Sequence, residues 1–287
     1  MSRIAYVNGR YVPHQQAAVH VEDRGYQFAD GVYEVIAVER DRLVDEVPHL
    51  ERLDRSLAEL RIRPPMARTA LRSVMRELVR RNRIGSGSLY IQMTRGVAPR
   101  DHAFPANGDT SLVMTVKRAR AQPPSIVEDG VRVITLPDIR WGRCDIKSIA
   151  LLPNVLAKQK AREVGAYEAW LVDRDGYVSE GSSTNAWIVT ETGHLVTRSA
   201  THAILNGITR QSLIRLAKAS RLGLEERPFT VAEAKAAREA FLTSTTSRVL
   251  AVSQIDEQVI GNGRAGSFAL KLRALYLDYA SGPGAGA

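Results

Sequence analysis

The sequence predicts an α+β fold in two parts, and three patterns carry that expectation. Apolar residues alternate with period two in some stretches and follow a helical period in others; the two kinds mix without a strict βαβ rhythm; and a proline-rich break falls inside the 287 residues. Nothing repeats at intervals of roughly 20 to 50 residues, so solenoids and propellers drop out.

Asn8-Gly9, set between RIAYV and RYV, supplies the positive φ angles of a two-residue turn and predicts a hairpin. Strands are expected at AAVHV and YEVIAVER. From Pro48 the period changes: Leu50, Leu53, Leu57 and Leu60 mark one face of a helix, and Leu71, Val74, Met75 and Leu78 mark a second from Thr69 to about Asn82. Strands return at SLYIQMTRG and SLVMTVKRA, and AQPPS then interrupts regular structure. This assigns a small N-terminal domain to residues 1–120, a linker to 121–125, a larger C-terminal domain to 126–280 and a disordered tail to 281–287. The larger domain is expected to hold strands VRVIT, EAWLVD and NAWIVT, a hairpin turn at Asp173–Gly176, and helices at about 153–164, 209–222 and 267–280.

No apolar run approaches the roughly 18 to 20 residues that span a bilayer, and the first residues, MSRIAYVNGRYV, lack the pattern of a signal peptide. The single cysteine, Cys144, excludes an internal disulfide and a cysteine-based metal cluster. The expectation is a cytoplasmic protein with no membrane partner and no metal. The net charge of +9 comes from 40 basic and 31 acidic residues that are interleaved, as in ERLDRSLAELRIR, which favours a solvated surface over nucleic-acid binding. GSGS and GNGRAG carry neither a phosphate-loop lysine nor a dinucleotide fingerprint.

Chemistry is concentrated in four places. In DIRWGRCDIKSIALLP, Lys147 stands between a strand-like stretch and the apolar run Ile149 to Leu152, a setting that favours desolvation and so a free nucleophilic amine. Glu180, in VSEGSSTNAW, is either an ordinary turn residue or a carboxylate placed to hold a protonated ring nitrogen. LNGITRQSLIRL starts a helix, with Gly207 allowing close backbone approach and Thr209 at the N-cap, and a helix start suits an anion. LTSTTSR offers hydroxyls after the strand-like AFL, either as a plain loop or as a second phosphate contact.

The order and spacing of EDRGYQFADGVYEV, HLERL, TRGVAPRDHAFP, DIRWGRCDIKS, NVLAKQKA, EGSSTN, ILNGITR and TSTTS resemble the D-amino-acid aminotransferases of the fold type IV pyridoxal-phosphate family, also called the branched-chain aminotransferase family. The resemblance runs through nearly the whole chain. It implies a small N-terminal α/β domain and a larger C-terminal pseudo-barrel domain with pyridoxal 5'-phosphate between them, and a cytoplasmic homodimer with a shared active site.

By the same resemblance, Lys147 forms the imine with the cofactor aldehyde and shuttles a proton. Glu180 holds the pyridine nitrogen. Arg52, Ser182, Ser183, Ile208, Thr209, Ser244 and Thr245 hold the cofactor, the phosphate falling to the arginine, the hydroxyls and the helix start. Tyr33, Arg100 and His102 take the substrate carboxylate, the last two from the partner subunit; read alone, Arg100 and His102 also fit a solvated loop tip. Cys144 has a structural reading, and Arg140 and Arg143 orient groups near the lysine.

The implied reaction moves an amino group from a D-amino acid to a 2-oxo acid, of the type D-alanine plus 2-oxoglutarate. Its rivals are an L-branched-chain or (R)-amine transaminase, an aminodeoxychorismate lyase, and a basic nucleic-acid-binding protein without catalysis. Two departures from the D-specific pattern are Arg248, where an acid is expected, and Asn206, where a lysine is expected. The preferred D-amino acid is not legible.

Overall fold

Residues 3–106 and 108–282 are described by the computed structural model, and they begin with the expected hairpin. Strand β1 (Ile4–Val7) turns through Asn8 (φ 44°) and Gly9 (φ 91°) into β2 (Arg10–Pro13). AAVHV forms no strand: Ala17–His20 has no regular structure. Its alternation buries neither valine, since Val19 and Val21 are both exposed, and among the described residues its backbone joins neither sheet. The chain instead builds a short helix, α1 (Arg24–Phe28), whose N-cap Asp23 accepts the Gly25 N–H at 2.8 Å.

Next come β3 (Gly31–Glu39), β4 (Arg42–Leu43), α2 (Glu46–Glu59), α3 (Arg68–Asn82), β5 (Ser86–Thr94) and β6 (Ser111–Arg118). The six strands form one antiparallel sheet in the order β2-β1-β6-β5-β3-β4. The leucine stripe of α2 does what its spacing implies: Leu50, Leu53 and Leu57 are buried, with Leu71, Met75 and Leu78 of α3, in one core with Val32, Ile36 and Val38 of β3.

The proline pair after β6 does not end regular structure. Pro124 occupies the first position of α4 (Pro124–Glu128), where a missing N–H costs nothing. Then follow β7 (Val131–Pro137), α5 (Leu152–Glu163), β8 (Glu168–Val172), β9 (Val178–Gly181), β10 (Asn185–Val189), β11 (Leu195–Thr197), α6 (Ile208–Ala219), β12 (Leu224–Glu226), α7 (Val231–Lys235), β13 (Glu239–Ser244), β14 (Arg248–Ile255), β15 (Gln258–Val259) and α8 (Ser267–Ser281). Nine strands make a mixed sheet in the order β12-β11-β10-β13-β14-β7-β8-β9, with β15 on β14. Its core gathers Trp170, Ile188, Phe229, Leu242 and Val252.

The chain divides into two units, the first running to Arg120 and taking in Ile146–Ala150 and the chain from Ala280, the second comprising Ala121–Asp145 and Leu151–Tyr279. Lys147 therefore belongs to the first unit, although sequence order places it well beyond residue 126. Of the tail expected at 281–287, Ser281 closes α8 and residues 283–287 lie outside the described residues. No helix among the described residues is long and apolar enough to cross a membrane.

Gly96 shows how tightly the first unit is folded at its loops. It has φ 91°, its carbonyl accepts the Arg24 N–H at 2.8 Å, and a Cβ there would collide with the Asp109 carbonyl oxygen. Gly96→Ala should therefore destabilise the protein by more than about 2 kcal/mol, read as a lower urea midpoint; a loss below about 0.5 kcal/mol, the range of ordinary surface changes, would contradict this reading.

Candidate active site

The segment around Lys147 is tied to the edge of β3 by its backbone. The Tyr33 N–H donates to the Lys147 carbonyl at 2.9 Å and the Ile149 N–H to the Gly31 carbonyl at 3.0 Å, and Val32 and Ser148 form a bridge. The Lys147 N–H faces the Ser56 hydroxyl of α2 at 3.4 Å, and Ile146 is buried in the first core. The half-buried side chain then lies with Nζ 4.1 Å from the centre of the Tyr33 ring, which stacks on Tyr90 at 5.7 Å. Among the described residues, Nζ has no hydrogen-bond or ion-pair partner. The backbone is held, and the amine, resting against the Tyr33 ring, is tied up by no hydrogen bond or ion pair among the described residues, which is the condition a nucleophilic lysine needs.

Strand alternation puts Tyr33 on one face of β3 and Glu34 on the other, among Val32, Ile36 and Val38. A carboxylate on that face needs partners, and α2 supplies them. Arg52 Nε and Nη2 donate to Glu34 Oε1 and Oε2, both at 2.8 Å, and His49 Nδ1 lies 2.7 Å from Oε2. Burial would raise the Glu34 pKa, but the Arg52 charge and its paired bonds, with His49, hold it down at about 2. Burial outweighs the pull of Glu34 on His49 and pushes its pKa below the usual value, so the neutral ring donates its Nδ1 proton. Sequence reasoning assigns no role to Glu34, the partner of Arg52, or to His49, a second partner of Glu34.

Arg100 and His102 are exposed on the loop between β5 and β6, as the loop-tip reading also expects. They are nevertheless organised: the Arg100 guanidinium lies 4.6 Å from the centre of the Phe28 ring, and the His102 ring 5.3 Å from it. The loop is held from below by Arg24, a buried residue that sequence reasoning passed over within EDRG. Its Nη1 donates to the Asp101 carbonyl at 2.6 Å and its Nε to Asp30 at 2.8 Å. Arg95 shares Asp30, at 2.7 Å.

In the second unit, Glu180 sits buried on β9. One oxygen meets Arg140; the other accepts Asn185 Nδ2 at 3.0 Å; and the Leu205 N–H reaches both at 3.2 Å. Arg140 is itself gripped by Asp138 at 2.9 and 2.7 Å and by the Ala203 carbonyl at 3.2 Å. Burial would lower its pKa, but Asp138 and Glu180 raise it above the ordinary value. Arg143 pairs with Asp145 at 3.0 Å. Burial pushes the Cys144 thiol up to about 11 despite the Arg140 charge, so it stays protonated near neutral pH, consistent with a structural role.

The remaining expected residues divide into engaged and unengaged groups. The Ser182 and Ser183 hydroxyls both donate to the fully buried Glu168, the latter at 2.8 Å, so their oxygens serve the loop after β9. The N-cap of α6 is Gly207 and not Thr209, because the Asn185 side chain occupies the space a Cβ at 207 would need; Ile208 and Thr209 form the first turn and are buried. Asn206 accepts from Arg210 at 3.0 Å. Ser244 ends β13 and its hydroxyl accepts the Ser247 N–H at 3.0 Å, while Thr245 opens the turn. The Thr209 and Thr245 hydroxyls have no partner among the described residues. Hydroxyls without a partner at a turn and at a helix start suit an anion such as a phosphate, and, in the other unit, an amine without a hydrogen-bond or ion-pair partner suits an aldehyde.

The architecture is that of an aminotransferase of fold type IV. A branched-chain amino acid aminotransferase from T.th., solved with pyridoxamine 5'-phosphate, superposes with a TM-score of 0.90 at 29% identity, covering 99% of this chain and 96% of that one. A sequence profile of amino-transferase class IV matches residues 31–255, and the chain belongs to that family. It is 44% identical over 259 residues to a D-alanine aminotransferase of Bacillus licheniformis, 90% of each chain being covered, and 37% identical over 274 residues to one of Staphylococcus haemolyticus, with 96% of each covered.

Glu34→Gln keeps the volume and strands the Arg52 charge, which should cost about 3–5 kcal/mol at pH 7. Because the folded pKa of about 2 lies below the ordinary value of 4.5, the stability Glu34 contributes is present above about 4.5 and is lost as pH falls toward 2. The gap between wild type and variant in urea unfolding should therefore narrow from pH 7 to pH 3. An equal gap at both would contradict the assignment.

Proposed function

We propose that the protein transfers the amino group of D-amino acids to 2-oxo acids with pyridoxal 5'-phosphate as cofactor. The observation that carries this reading is the unengaged amine of Lys147 on a backbone pinned to β3, in a chain whose curated relatives are D-alanine aminotransferases. When bound, the cofactor supplies an aldehyde for a lysine and a ring that withdraws the electrons left when the substrate Cα–H bond breaks.

Each residue then has a defined task. Lys147 would hold the cofactor through its Nζ and, as a free amine, would move the proton at the substrate Cα. Glu180, fixed by Arg140, Asn185 and the Leu205 N–H, accepts from the ring nitrogen and keeps it protonated. Thr209 and Thr245, with Ser244, the N–H groups at the start of α6 and the Arg52 fork, hold the phosphate. Ser182 and Ser183 act at one remove, by keeping the loop after Glu180 in place through Glu168.

Arg100 and His102 take the substrate carboxylate, and Tyr33 assists. A guanidinium held by an aromatic ring and backed by the Arg24 bonds presents a fixed fork to a carboxylate. These two residues serve the site of a partner subunit, so the working form is a homodimer. A second oxo acid would be bound by the same residues as the first.

The presence of both cations on the loop favours D-amino acids over the L-branched-chain reading that the T.th. structure invites. With 2-oxoglutarate as acceptor, D-alanine should be turned over faster than L-leucine or an (R)-amine; a dominant rate on L-leucine would overturn the substrate assignment. Lys147→Ala should cut transamination by at least about 10²–10⁴-fold, the usual contribution of a positioned acid–base group, with urea unfolding unchanged; substantial residual turnover would remove Lys147 from the reaction. Arg100→Ala should raise KM for D-alanine about tenfold and change kcat little, since it deletes binding common to ground and transition states.

A further inference from the structure

The buried and half-buried arginines of this chain mostly meet carboxylates: Arg24 and Arg95 share Asp30, Arg52 meets Glu34, Arg140 meets Asp138 and Glu180, and Arg210 meets Glu226. Arg273 of α8 is different. Its half-buried guanidinium donates from Nη1 to the carbonyls of Ser247, at 3.3 Å, and Val249, at 2.7 Å, and from Nη2 to the Gln122 side-chain oxygen at 2.7 Å. All three acceptors are neutral, and no carboxylate is within ion-pair reach of it among the described residues. Burial lowers its pKa, and the charge of Arg248 lowers it further against a small opposing effect of Tyr167.

Ser247 is the last residue of the turn Thr245–Ser247 between β13 and β14, and Val249 lies just beyond it in β14. Arg248, which follows the turn, has φ 60°, a conformation that costs a side-chain-bearing residue about 1 kcal/mol or more and persists only where the surroundings enforce it. Ser247 is fixed on two further sides, by its N–H to the Ser244 hydroxyl at 3.0 Å and by its own hydroxyl against the Tyr167 hydroxyl at 2.7 Å. The turn is thus held at its Ser247 end, by that residue's carbonyl, N–H and hydroxyl, while the Thr245 hydroxyl has no partner among the described residues. Arg273, tied to neutral acceptors and without a counter-ion among the described residues, adds positive charge at the Ser247 end of the turn.

We propose that Arg273 is a positioning residue for phosphate binding: it holds the Thr245–Ser247 turn in shape and supplies positive potential there for a phosphate monoester. This rests on the reading that Ser244 and Thr245 hold the cofactor phosphate. Arg273 acts through the turn and touches neither the reacting atoms nor the ring, so its removal affects the phosphate and leaves recognition of the rest of the cofactor intact.

Two ligands separate these contributions: pyridoxal 5'-phosphate and pyridoxal, which lacks the phosphate. Their dissociation constants are measured on apoenzyme by absorbance titration, with apoenzyme melting followed alongside, for wild type, Thr245→Val, Arg273→Gln and Arg273→Lys. The ratio of Kd for pyridoxal to Kd for the phosphate ester reports the grip on the phosphate. Thr245→Val and Arg273→Gln should each lower it about tenfold, the size of one lost bond to a charged group. Arg273→Lys, which keeps the charge and loses the forked grip, should fall between, and it carries the test if Arg273→Gln does not fold. A ratio that drops in Thr245→Val and is unchanged in the Arg273 variants overturns this proposal with the phosphate reading intact. A ratio unchanged in Thr245→Val removes the turn from the phosphate site, and the proposal falls with it.

Discussion

The pairing of the Lys147 segment with β3 is the constraint on which the chemistry depends. Two backbone bonds, Tyr33 N–H to Lys147 and Ile149 N–H to Gly31, set where the lysine stands, and both take their position from β3. That strand is in turn registered against β5 over its whole length, from Gly31 opposite Thr94 to Glu39 opposite Ser86. A slip of one residue would exchange its two faces. Tyr33 would then enter the apolar core and leave the lysine without its ring, while Glu34 would leave Arg52 and His49 behind. One register therefore places the amine of Lys147 and, on the opposite face, the guanidinium of Arg52.

A second principle is that each side chain proposed for the site is held by charged residues around it. Glu34, itself met by His49, orients Arg52; Asp138 orients Arg140, which meets Glu180; Glu168 draws in the hydroxyls of Ser182 and Ser183; Asp30 anchors Arg24 and Arg95, and Arg24 holds the loop that carries Arg100 and His102. Each of these buried or half-buried carboxylates is met by donors, as burial of charge requires. Side chains held in this way lose little freedom on binding, which is the physical basis of preorganised catalysis.

Much of the architecture was legible because it follows from period and turn chemistry. The leucine stripe of α2, the Asn8-Gly9 turn and the alternation of the sheet strands all announce themselves locally, and the lysine and glutamate of the site stand in motifs that resemble a known family. What was not legible depends on partners distant in sequence. AAVHV has the alternation of a strand but no neighbouring edge to pair with. Pro124 looks like an interruption until it is seen at the first position of a helix. Thr209 has an N-cap side chain, yet Asn185, more than twenty residues earlier, selects Gly207 for that position. Ser182 and Ser183 look available until Glu168 is placed beside them. One signal could have been read: Glu34 occupies the core-facing phase of Val32, Ile36 and Val38, and an acid in that phase implies a buried cation on the helix packed against it.

The most direct measurement of the central claim is to reduce the yellow holoprotein with borohydride, digest it and map the fixed cofactor by mass spectrometry. The account predicts the phosphopyridoxyl group on the peptide containing residue 147, attached to the lysine side chain. Attachment at any other lysine, or a protein that takes up no cofactor, would contradict it.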